Sequence, residues 1–211
     1  MTKRGHGTRV SAEKRLVDPK VLTRFGAPVR RILAGEAGVG VIPTDTIYGV
    51  SARALAPKAV ERIYELRKRD LKKPMIILIS SLEDMELFNV KLRPVVRSFL
   101  TQYWPGKISI VLNCTSRKFF YLHRGTNSLA FRIPDREDLR KLIRVVGPLV
   151  STSANLEGMP PASTISQAKR YFDNKVDFYV NVGPLMSLPS TLIGIRRGKI
   201  TVLREGAVQI M

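Results

Sequence analysis

Short apolar runs alternate with amphipathic segments along the chain, and this alternation predicts an α/β fold. Residues 39–42 form an apolar run that ends abruptly in a hydroxyl-rich polar cluster, which is typical of a buried strand ending where open sheets bind ligands. From Pro57 onward, apolar residues recur on one face of a predicted helix, while charged residues occupy its other face. Residues 75–79 are apolar throughout, which predicts a strand covered by helices on both faces.

The remaining segments continue the same alternation. Helices are predicted for a short segment after Pro28 and for residues 81–87, 94–103, 135–146 and 164–172. Strands are predicted for residues 108–112, 127–133, 148–151, 176–181, 190–195 and, after a turn at Arg197-Gly198, 200–204. Residues 1–20 are basic and polar with few apolar side chains, which predicts a flexible N-terminal arm. We therefore predict one α/β domain over residues 21–211, with a twisted mixed sheet flanked by helices.

The charge of the chain is strongly positive. Its 36 lysines and arginines against 17 aspartates and glutamates give a formal net charge of +19. Such an excess attracts polyanions over long distances, so nucleic acid is the first candidate partner, followed by phosphate-bearing small molecules and anionic surfaces. A host whose proteins are generally basic would give the same excess, and the sequence does not distinguish the two explanations.

Composition also indicates a compartment. No apolar run approaches the roughly 20 residues of a membrane span, and the basic N-terminal segment contains no hydrophobic stretch of a secretory signal. The single cysteine, Cys114, has no partner for an internal disulfide, which fits a reducing environment. We therefore expect a soluble, cytoplasmic protein without membrane contact.

Several common kinds of catalytic site are excluded by the sequence. The chain lacks the Gly-x-x-x-x-Gly-Lys-[Ser/Thr] pattern of a P-loop. Gly35, Gly38 and Gly40 precede the predicted strand, whereas the glycines of a dinucleotide-binding fingerprint follow one. His6 falls in the predicted arm and His123 stands alone, so neither a His/Cys metal site nor a Ser-His-Asp triad is indicated. Hydroxyls, an asparagine and arginines remain, and this set suits an anion bound together with a small polar ligand.

Seven motifs between residues 25 and 208 stand in the order in which they occur in the YrdC/Sua5 family, which this chain resembles. They are Pro-Thr-Asp-Thr-Ile-Tyr-Gly-Val (43–50), Arg67-Lys68-Arg69 with Lys73-Pro74, Trp104-Pro105-Gly106, Ala130-Phe131-Arg132-Ile133-Pro134, Ser151-Thr152-Ser153-Ala154-Asn155, Pro189-Ser190-Thr191 and Leu203-Arg204-Glu205-Gly206-Ala207. The resemblance implies a twisted α/β sheet around a concave basic cavity. It also implies the short form of the family, which consists of the catalytic domain alone.

The resemblance implies the activity of a threonylcarbamoyl-AMP synthase. Such an enzyme condenses L-threonine, bicarbonate and ATP to threonylcarbamoyl-adenylate and releases pyrophosphate. The product serves the formation of N6-threonylcarbamoyladenosine (t6A) at position 37 of tRNA, so the tRNA threonylcarbamoyl-transfer machinery is an expected downstream partner. Mg²⁺ is expected to arrive with ATP, and no tightly bound metal or organic cofactor is expected.

The resemblance also assigns site residues by position. The expected threonine contacts are Thr44, Thr46, Tyr48, Arg132, Ser151 and Ser190. The expected ATP contacts are Arg67, Arg69, Lys73, Ser109, Ser153, Asn155 and Arg204. Arg67, Arg69 and Arg132 are the candidate catalytic residues, because the reaction gathers charge on phosphate oxygens that cations stabilise. Arg132 also lies between apolar neighbours, where a cation needs an anionic partner, and in the family this partner is the threonine carboxylate.

Structural explanations for the same residues stay open. Thr44 would then cap a strand end, and Tyr48 would pack in the core. Arg67 and Arg69 would end a helix in solvent, where cations are favourable. The loop over residues 151–155 would satisfy its own turn.

Three departures from the family pattern bear on substrate contacts. Lys107 stands where a proline is usual, Leu78 stands where some members have a histidine, and Pro161 replaces an expected serine. These departures and the net charge keep a second function open, a YrdC-like protein that binds double-stranded or structured rRNA or tRNA, with weak or no synthase activity. A third possibility is carbamoyl transfer to a different amine.

Overall fold

A ten-stranded sheet forms the centre of the computed structural model, which describes residues 19–196 and 199–210. The strands are β1 (Lys20–Leu22), β2 (Val39–Pro43), β3 (Tyr48–Arg53), β4 (Ile76–Leu78), β5 (Ile108–Asn113), β6 (Ser128–Arg132), β7 (Leu149–Ser153), β8 (Phe178–Val180), β9 (Thr191–Arg196) and β10 (Lys199–Arg204). The α-helices are α1 (Ala27–Ala34), α2 (Pro57–Arg67), α3 (Pro94–Tyr103), α4 (Phe120–His123), α5 (Glu137–Val146) and α6 (Ile165–Phe172). Short 3₁₀ helices cover Leu82–Phe88, Arg117–Phe119 and Asp173–Lys175.

The sheet is mixed, with strand order β1-β8-β2-β3-β7-β4-β6-β5-β9-β10. Strand β4 pairs in parallel with β6 and antiparallel with β7, whereas β2 pairs antiparallel with β3 and in parallel with β8. The prediction of a mixed α/β sheet flanked by helices is confirmed. The predicted turn at Arg197-Gly198 lies outside the described residues, and so does the predicted arm over residues 1–20 apart from its last two residues.

Two apolar clusters attach helices to the sheet. The larger cluster includes side chains of α2, α3 and α6, among them Ile63, Leu100 and Phe172, and the smaller one includes Leu33 of α1 and Ile143 of α5. Burial of each such side chain contributes about 1.5–3 kcal/mol, so the sheet is held firmly by the helices. Over the stretches that the structure describes, no helix is long and apolar enough to cross a membrane.

Strand β3 is the main element that the sequence pattern did not predict. Its apolar pattern is interrupted by Gly49 and Ser51, which weakens the signal of a strand. The sheet nevertheless requires a glycine here, because a Cβ atom at Gly49 would lie 2.4 Å from Ser151 Oγ on the neighbouring strand β7. The hydroxyl cluster after β2 is therefore the tight turn of a β2–β3 hairpin, which fixes its side chains against the sheet.

Candidate active site

A cavity of about 250 Å³ is bordered by the β2–β3 turn and by strands β4, β6 and β7. The predicted site residues that line it are Thr44, Thr46, Arg69, Arg132, Ser151, Ser153, Ser190 and Arg204. Further lining residues are Ile47, Gly49, Pro74, Met75, Ile76, Leu78, Ala130, Thr152, Pro161, Pro189 and Leu192. In the described part of the chain, this lining contains three arginines and no carboxylate. The cavity therefore combines an apolar part with a part lined by arginines and hydroxyl groups.

Two of these arginines, Arg69 and Arg204, are held by neutral acceptors. Arg69 donates to two backbone carbonyl oxygens at 2.9 and 3.1 Å, and Arg204 Nη2 donates to the carbonyl oxygen of Ser190 at 2.8 Å. Burial lowers the pKa of both arginines, and the nearby charges of Arg132 and Arg69 lower the pKa of Arg204 further. Among the described residues, no carboxylate forms an ion pair with Arg69 or Arg204. Their charge is available for an anionic ligand.

The third arginine, Arg132 of β6, faces Asp45 of the β2–β3 turn. Arg132 Nη2 lies 2.5 Å from Asp45 Oδ1, and the two side chains are 4% and 5% exposed. Arg132 Nε donates to the carbonyl oxygen of Gly106 at 2.9 Å, and Nη1 donates to Thr46 Oγ1 at 3.2 Å. Burial lowers the pKa of Arg132, and the charge of Asp45 opposes that change. Arg132 therefore has an anionic partner within the chain, whereas the sequence analysis had considered only the substrate for this role.

The hydroxyl of Thr44 holds the β2–β3 turn. Thr44 Oγ1 donates to the carbonyl oxygen of Ile47 at 2.7 Å and accepts from the backbone N–H groups of Thr46 and Ile47 at 3.1 and 3.2 Å. Thr46 Oγ1 lies 3.0 Å from Thr44 Oγ1. Thr44 thus caps the strand end, as the structural explanation expected, and it also lines the cavity beside Thr46. Their contacts with threonine stay predictions.

Two serine pairs support the cavity wall. Ser151 Oγ accepts from Ser51 Oγ at 2.9 Å, and Ser190 Oγ lies 2.8 Å from Ser109 Oγ. Ser151 and Ser190 line the cavity, whereas Ser51 and Ser109 are fully buried behind it. Ser109, a predicted ATP contact, is therefore positioned to orient Ser190.

Arg67 does not line the cavity, although it was predicted to meet ATP phosphates. Its Nη1 donates to Thr152 Oγ1 at 2.6 Å, and its Nη2 donates to Ser153 Oγ at 3.3 Å. Asn155 accepts from Nε through its backbone oxygen at 2.8 Å and from Nη2 through Oδ1 at 2.7 Å. Burial, assisted by the charge of Arg69, lowers the pKa of Arg67 to about 10. The explanation of Arg67 as a solvated helix end is wrong, because the residue is only 2% exposed.

Three other predicted residues lie outside the cavity lining. Tyr48 is fully buried, and its hydroxyl donates to the carbonyl oxygen of Gly183 at 2.7 Å, which agrees with core packing. Lys73 Nζ lies 2.5 Å from Glu157 Oε1 and is 57% exposed. The side chain of Asn155 is bonded to Arg67 and to the backbone of the same loop. These residues shape the surroundings of the cavity in this structure.

Sequence reasoning missed two polar residues at the site, Asp45 and Thr152. Both residues stand inside the family motifs. Asp45 is a charged residue between two threonines, and Thr152 is a hydroxyl residue between two serines, and these positions were the signals that could have found them. Of the three departures from the family pattern, Leu78 and Pro161 line the cavity and Lys107 does not. The backbone oxygen of Lys107 instead accepts from the N–H of Thr191 at 3.0 Å.

Sequence comparison relates this chain to a known family. The Sua5/YciO/YrdC family, whose description is telomere recombination, matches residues 33–206. A putative threonylcarbamoyl-AMP synthase of Methanocaldococcus jannaschii is 31% identical over 182 residues, which cover 86% of this chain and 84% of the relative. The threonylcarbamoyl-AMP synthase of Marinobacter nauticus is 34% identical over 148 residues, which cover 69% of this chain and 77% of the relative.

Solved structures give the same relationship. Pyrococcus abyssi Sua5 complexed with L-threonine matches 90% of this chain with a TM-score of 0.81 and 25% identity. The match covers 58% of the P. abyssi chain, so this protein spans little more than half the length of that relative. E. coli YciO shares the fold, with a TM-score of 0.79 and 22% identity over 90% of this chain and 96% of YciO. With most of its length matched by the family model and by named relatives, the chain belongs to the Sua5/YciO/YrdC family.

Proposed function

We propose that this protein is a threonylcarbamoyl-AMP synthase, which condenses L-threonine, bicarbonate and ATP to threonylcarbamoyl-adenylate and pyrophosphate. The observation that carries the proposal is the cavity, where three arginines and several hydroxyls line one space that, among its described residues, has no carboxylate. The names of the relatives, and the L-threonine in the P. abyssi complex, support the same reaction.

The reaction requires two anionic groups held close together. Bicarbonate takes up a proton and loses water to give CO₂, and the amine of threonine takes up CO₂ with loss of a proton to give a carbamate. A carbamate oxygen then attacks the α-phosphorus of ATP while pyrophosphate leaves. Arg69 and Arg204 are suited to phosphate oxygens, because neutral acceptors hold them and their charge stays available. Arg132 uses only part of its N–H groups within the chain, and the remaining ones are suited to the threonine carboxylate.

The apolar part of the cavity is suited to protecting the carbamate intermediate from water. Free carbamates decompose readily in water, so a site that limits water protects them. Met75, Leu78 and Leu192 contribute apolar side chains next to the polar wall. The protein's task is therefore to position two reactants and to stabilise charge, which needs no nucleophilic side chain.

The proposal also covers the metal ion, the enzymes that use the product and the compartment of the reaction. Mg²⁺ enters as part of MgATP, since the described cavity lining offers no carboxylate ligand for a resident ion. The product is passed to the enzymes that transfer the threonylcarbamoyl group to adenosine 37 of tRNA, and we place this reaction in the cytoplasm. The single cysteine, Cys114, is buried and unpaired, which suits a reducing compartment.

Pyrophosphate release tests the proposal. Purified protein is incubated with MgATP and bicarbonate, with and without L-threonine, and the expected result is release that depends on threonine. Arg132→Met should abolish the threonine-dependent release, because it removes the group that meets the carboxylate. Arg144→Met is the matched control, since Arg144 is half-exposed on α5 and lies outside the cavity. Release that is independent of threonine would contradict the proposal.

The net charge of +19 favours a second candidate, binding of structured RNA. Such binding depends on the shape of the RNA and on the charge of its phosphates. When roughly six phosphates are contacted, the affinity falls by about a thousandfold between 50 and 200 mM salt. Filter binding of tRNA and a double-stranded RNA at the two salt concentrations measures it. Tight, salt-sensitive binding without threonine-dependent pyrophosphate release would make RNA binding the main function.

A further inference from the structure

The hydrogen bonds from Arg67 leave two hydroxyl groups with an unused hydrogen atom. Thr152 Oγ1 and Ser153 Oγ both accept from the guanidinium, so their own hydrogens are not used in these bonds. Within the residues that the structure describes, neither hydroxyl donates to another group. Thr152 and Ser153 both line the cavity. Each hydroxyl therefore has a hydrogen that its bond to Arg67 does not use, on a residue that lines the cavity.

The charge of Arg67 is not neutralised by a contacting carboxylate in the described chain. Its acceptors are two hydroxyls, a backbone carbonyl and an amide oxygen, all of which are neutral. Glu157, whose charge favours the protonated form of Arg67, is itself engaged, with Oε1 at 2.5 Å from Lys73 Nζ and Oε2 accepting from the N–H of Asp70 at 2.5 Å.

A buried cation polarises the groups that it binds. In surroundings of low dielectric constant, a hydroxyl that accepts from a cation becomes a stronger donor through its own hydrogen. Arg67 is 2% exposed, so solvent does little to screen this effect. Thr152 and Ser153 thus carry part of the positive charge of Arg67 to the wall of the cavity.

We propose that Thr152 is an additional nucleotide-binding residue and that Arg67 is a positioning residue, which acts on ATP phosphate oxygens through the hydroxyls of Thr152 and Ser153. The proposal rests on the proposed function, because it identifies the ligand anion as the phosphates of ATP. It differs from the role implied by the family resemblance, in which Arg67 meets the phosphates directly. This indirect role fits the position of Arg67, which lies outside the cavity lining.

Binding of MgATP and of pyrophosphate by titration calorimetry tests Thr152. Thr152→Val removes the hydroxyl at nearly constant volume, and we expect the Kd of both ligands to rise about tenfold, as for loss of one hydrogen bond to a charged group. Thr152→Ser keeps the hydroxyl and should bind as the wild type does. Thr101→Val makes the same change on the exposed face of α3 and should also leave binding unchanged. Wild-type affinity of Thr152→Val, or an equal loss of L-threonine affinity, would overturn the proposal.

A double-mutant cycle distinguishes action through the hydroxyl from direct contact. If Arg67 acts through Thr152 and Ser153, the loss of pyrophosphate affinity in Arg67→Gln/Thr152→Val is smaller than the product of the losses in the two single variants. If Arg67 contacts phosphate itself, the two losses multiply, which would overturn the proposal. Ser153→Ala replaces Arg67→Gln as the second substitution if that variant does not fold. With that substitution, weaker binding than in Thr152→Val alone supports two separate donors, and unchanged binding would overturn the role of Ser153.

The proposed function and this inference fail in different ways. A wild-type protein that binds MgATP but shows no threonine-dependent pyrophosphate release refutes the synthase function, while the Thr152 variants still decide the role of that hydroxyl. A wild-type protein that binds neither MgATP nor pyrophosphate would overturn both.

Discussion

Replacing Asp45 by asparagine tests how far the cavity depends on one buried charge pair. In the wild type, Asp45 Oδ1 lies 2.5 Å from Arg132 Nη2, and Oδ2 accepts from the backbone N–H of Asp135 at 3.0 Å. Asparagine retains one oxygen acceptor but removes the negative charge. Arg132 then becomes a buried cation without a counter-ion, while its bonds to Gly106 and Thr46 remain.

The size of the effect follows from burial. With side-chain exposures of 4% and 5%, the two residues form a buried pair, and removing one partner of such a pair costs about 3–5 kcal/mol. Two neutral acceptors of Arg132 survive the substitution, so we expect a loss near the lower limit, about 3 kcal/mol in the free energy of unfolding. The threonine KM should also rise, because the guanidinium is less firmly positioned.

Urea unfolding followed by circular dichroism measures the loss, and a double-mutant cycle isolates the pair. Arg132→Met combined with Asp45→Asn should be less destabilising than the sum of the single substitutions, since the double variant leaves no unpaired charge. The control is the exposed pair of Lys58 and Glu36, which are 2.9 Å apart and both 76% exposed, so Glu36→Gln should have no measurable effect. If Asp45→Asn is as stable as Glu36→Gln, the reasoning about burial is refuted.

Three further predictions concern a close backbone approach, a buried thiol and an available charge. Gly49→Ala places a Cβ 2.4 Å from Ser151 Oγ, so urea titration should show a decrease of about 1–3 kcal/mol in the free energy of unfolding. In the control Gly26→Ala, the nearest atom to the new Cβ lies at 3.6 Å, so its stability should match that of the wild type. Cys114 is 3% exposed and burial raises the pKa of its thiol, so a disulfide reagent at about pH 8 should react only after unfolding. Reaction of the native protein at the rate of free cysteine would contradict this. Arg204→Met should raise the KM for ATP about tenfold in the pyrophosphate assay and change the KM for threonine little. Equal rises in the two KM values would indicate a structural role for Arg204 instead.

Most of the sheet could be predicted from the sequence because several of its strands are largely apolar runs. Strand β4 lies within the predicted residues 75–79, whereas β2 and β5 each extend one residue beyond the predicted residues 39–42 and 108–112. Side chains buried under helices must be apolar, and this requirement made the three strands recognisable. Strand β3 is equally buried but carries Gly49 and Ser51, which meet Ser151 of β7. This close approach is a tertiary requirement, and no local pattern expresses it.

The family motifs located the residues of the cavity. The residue types alone indicated only that the protein binds an anion together with a small polar ligand. The Asp45–Arg132 pair escaped prediction because its members stand in separate motifs that the β3–β7, β4–β7 and β4–β6 pairings bring together. Arg67 was equally misleading, because its position at the end of a helix favoured exposure to solvent. The end of β7 and the loop after it bury Arg67 instead, with hydroxyl oxygens of the strand and oxygens of Asn155 as acceptors.

The pairing of distant strands has a consequence for folding. Strand β3 places Ser51 opposite Ser151 of β7, and β5 places Ile108 opposite Thr191 of β9, so closing the sheet requires long loops to be ordered before these contacts form. Arg204 reaches the cavity only after β10 has paired with β9. The set of three arginines is therefore complete only when β10 has paired with β9, and a chain still emerging from the ribosome without β9 and β10 lacks Arg204 at the cavity.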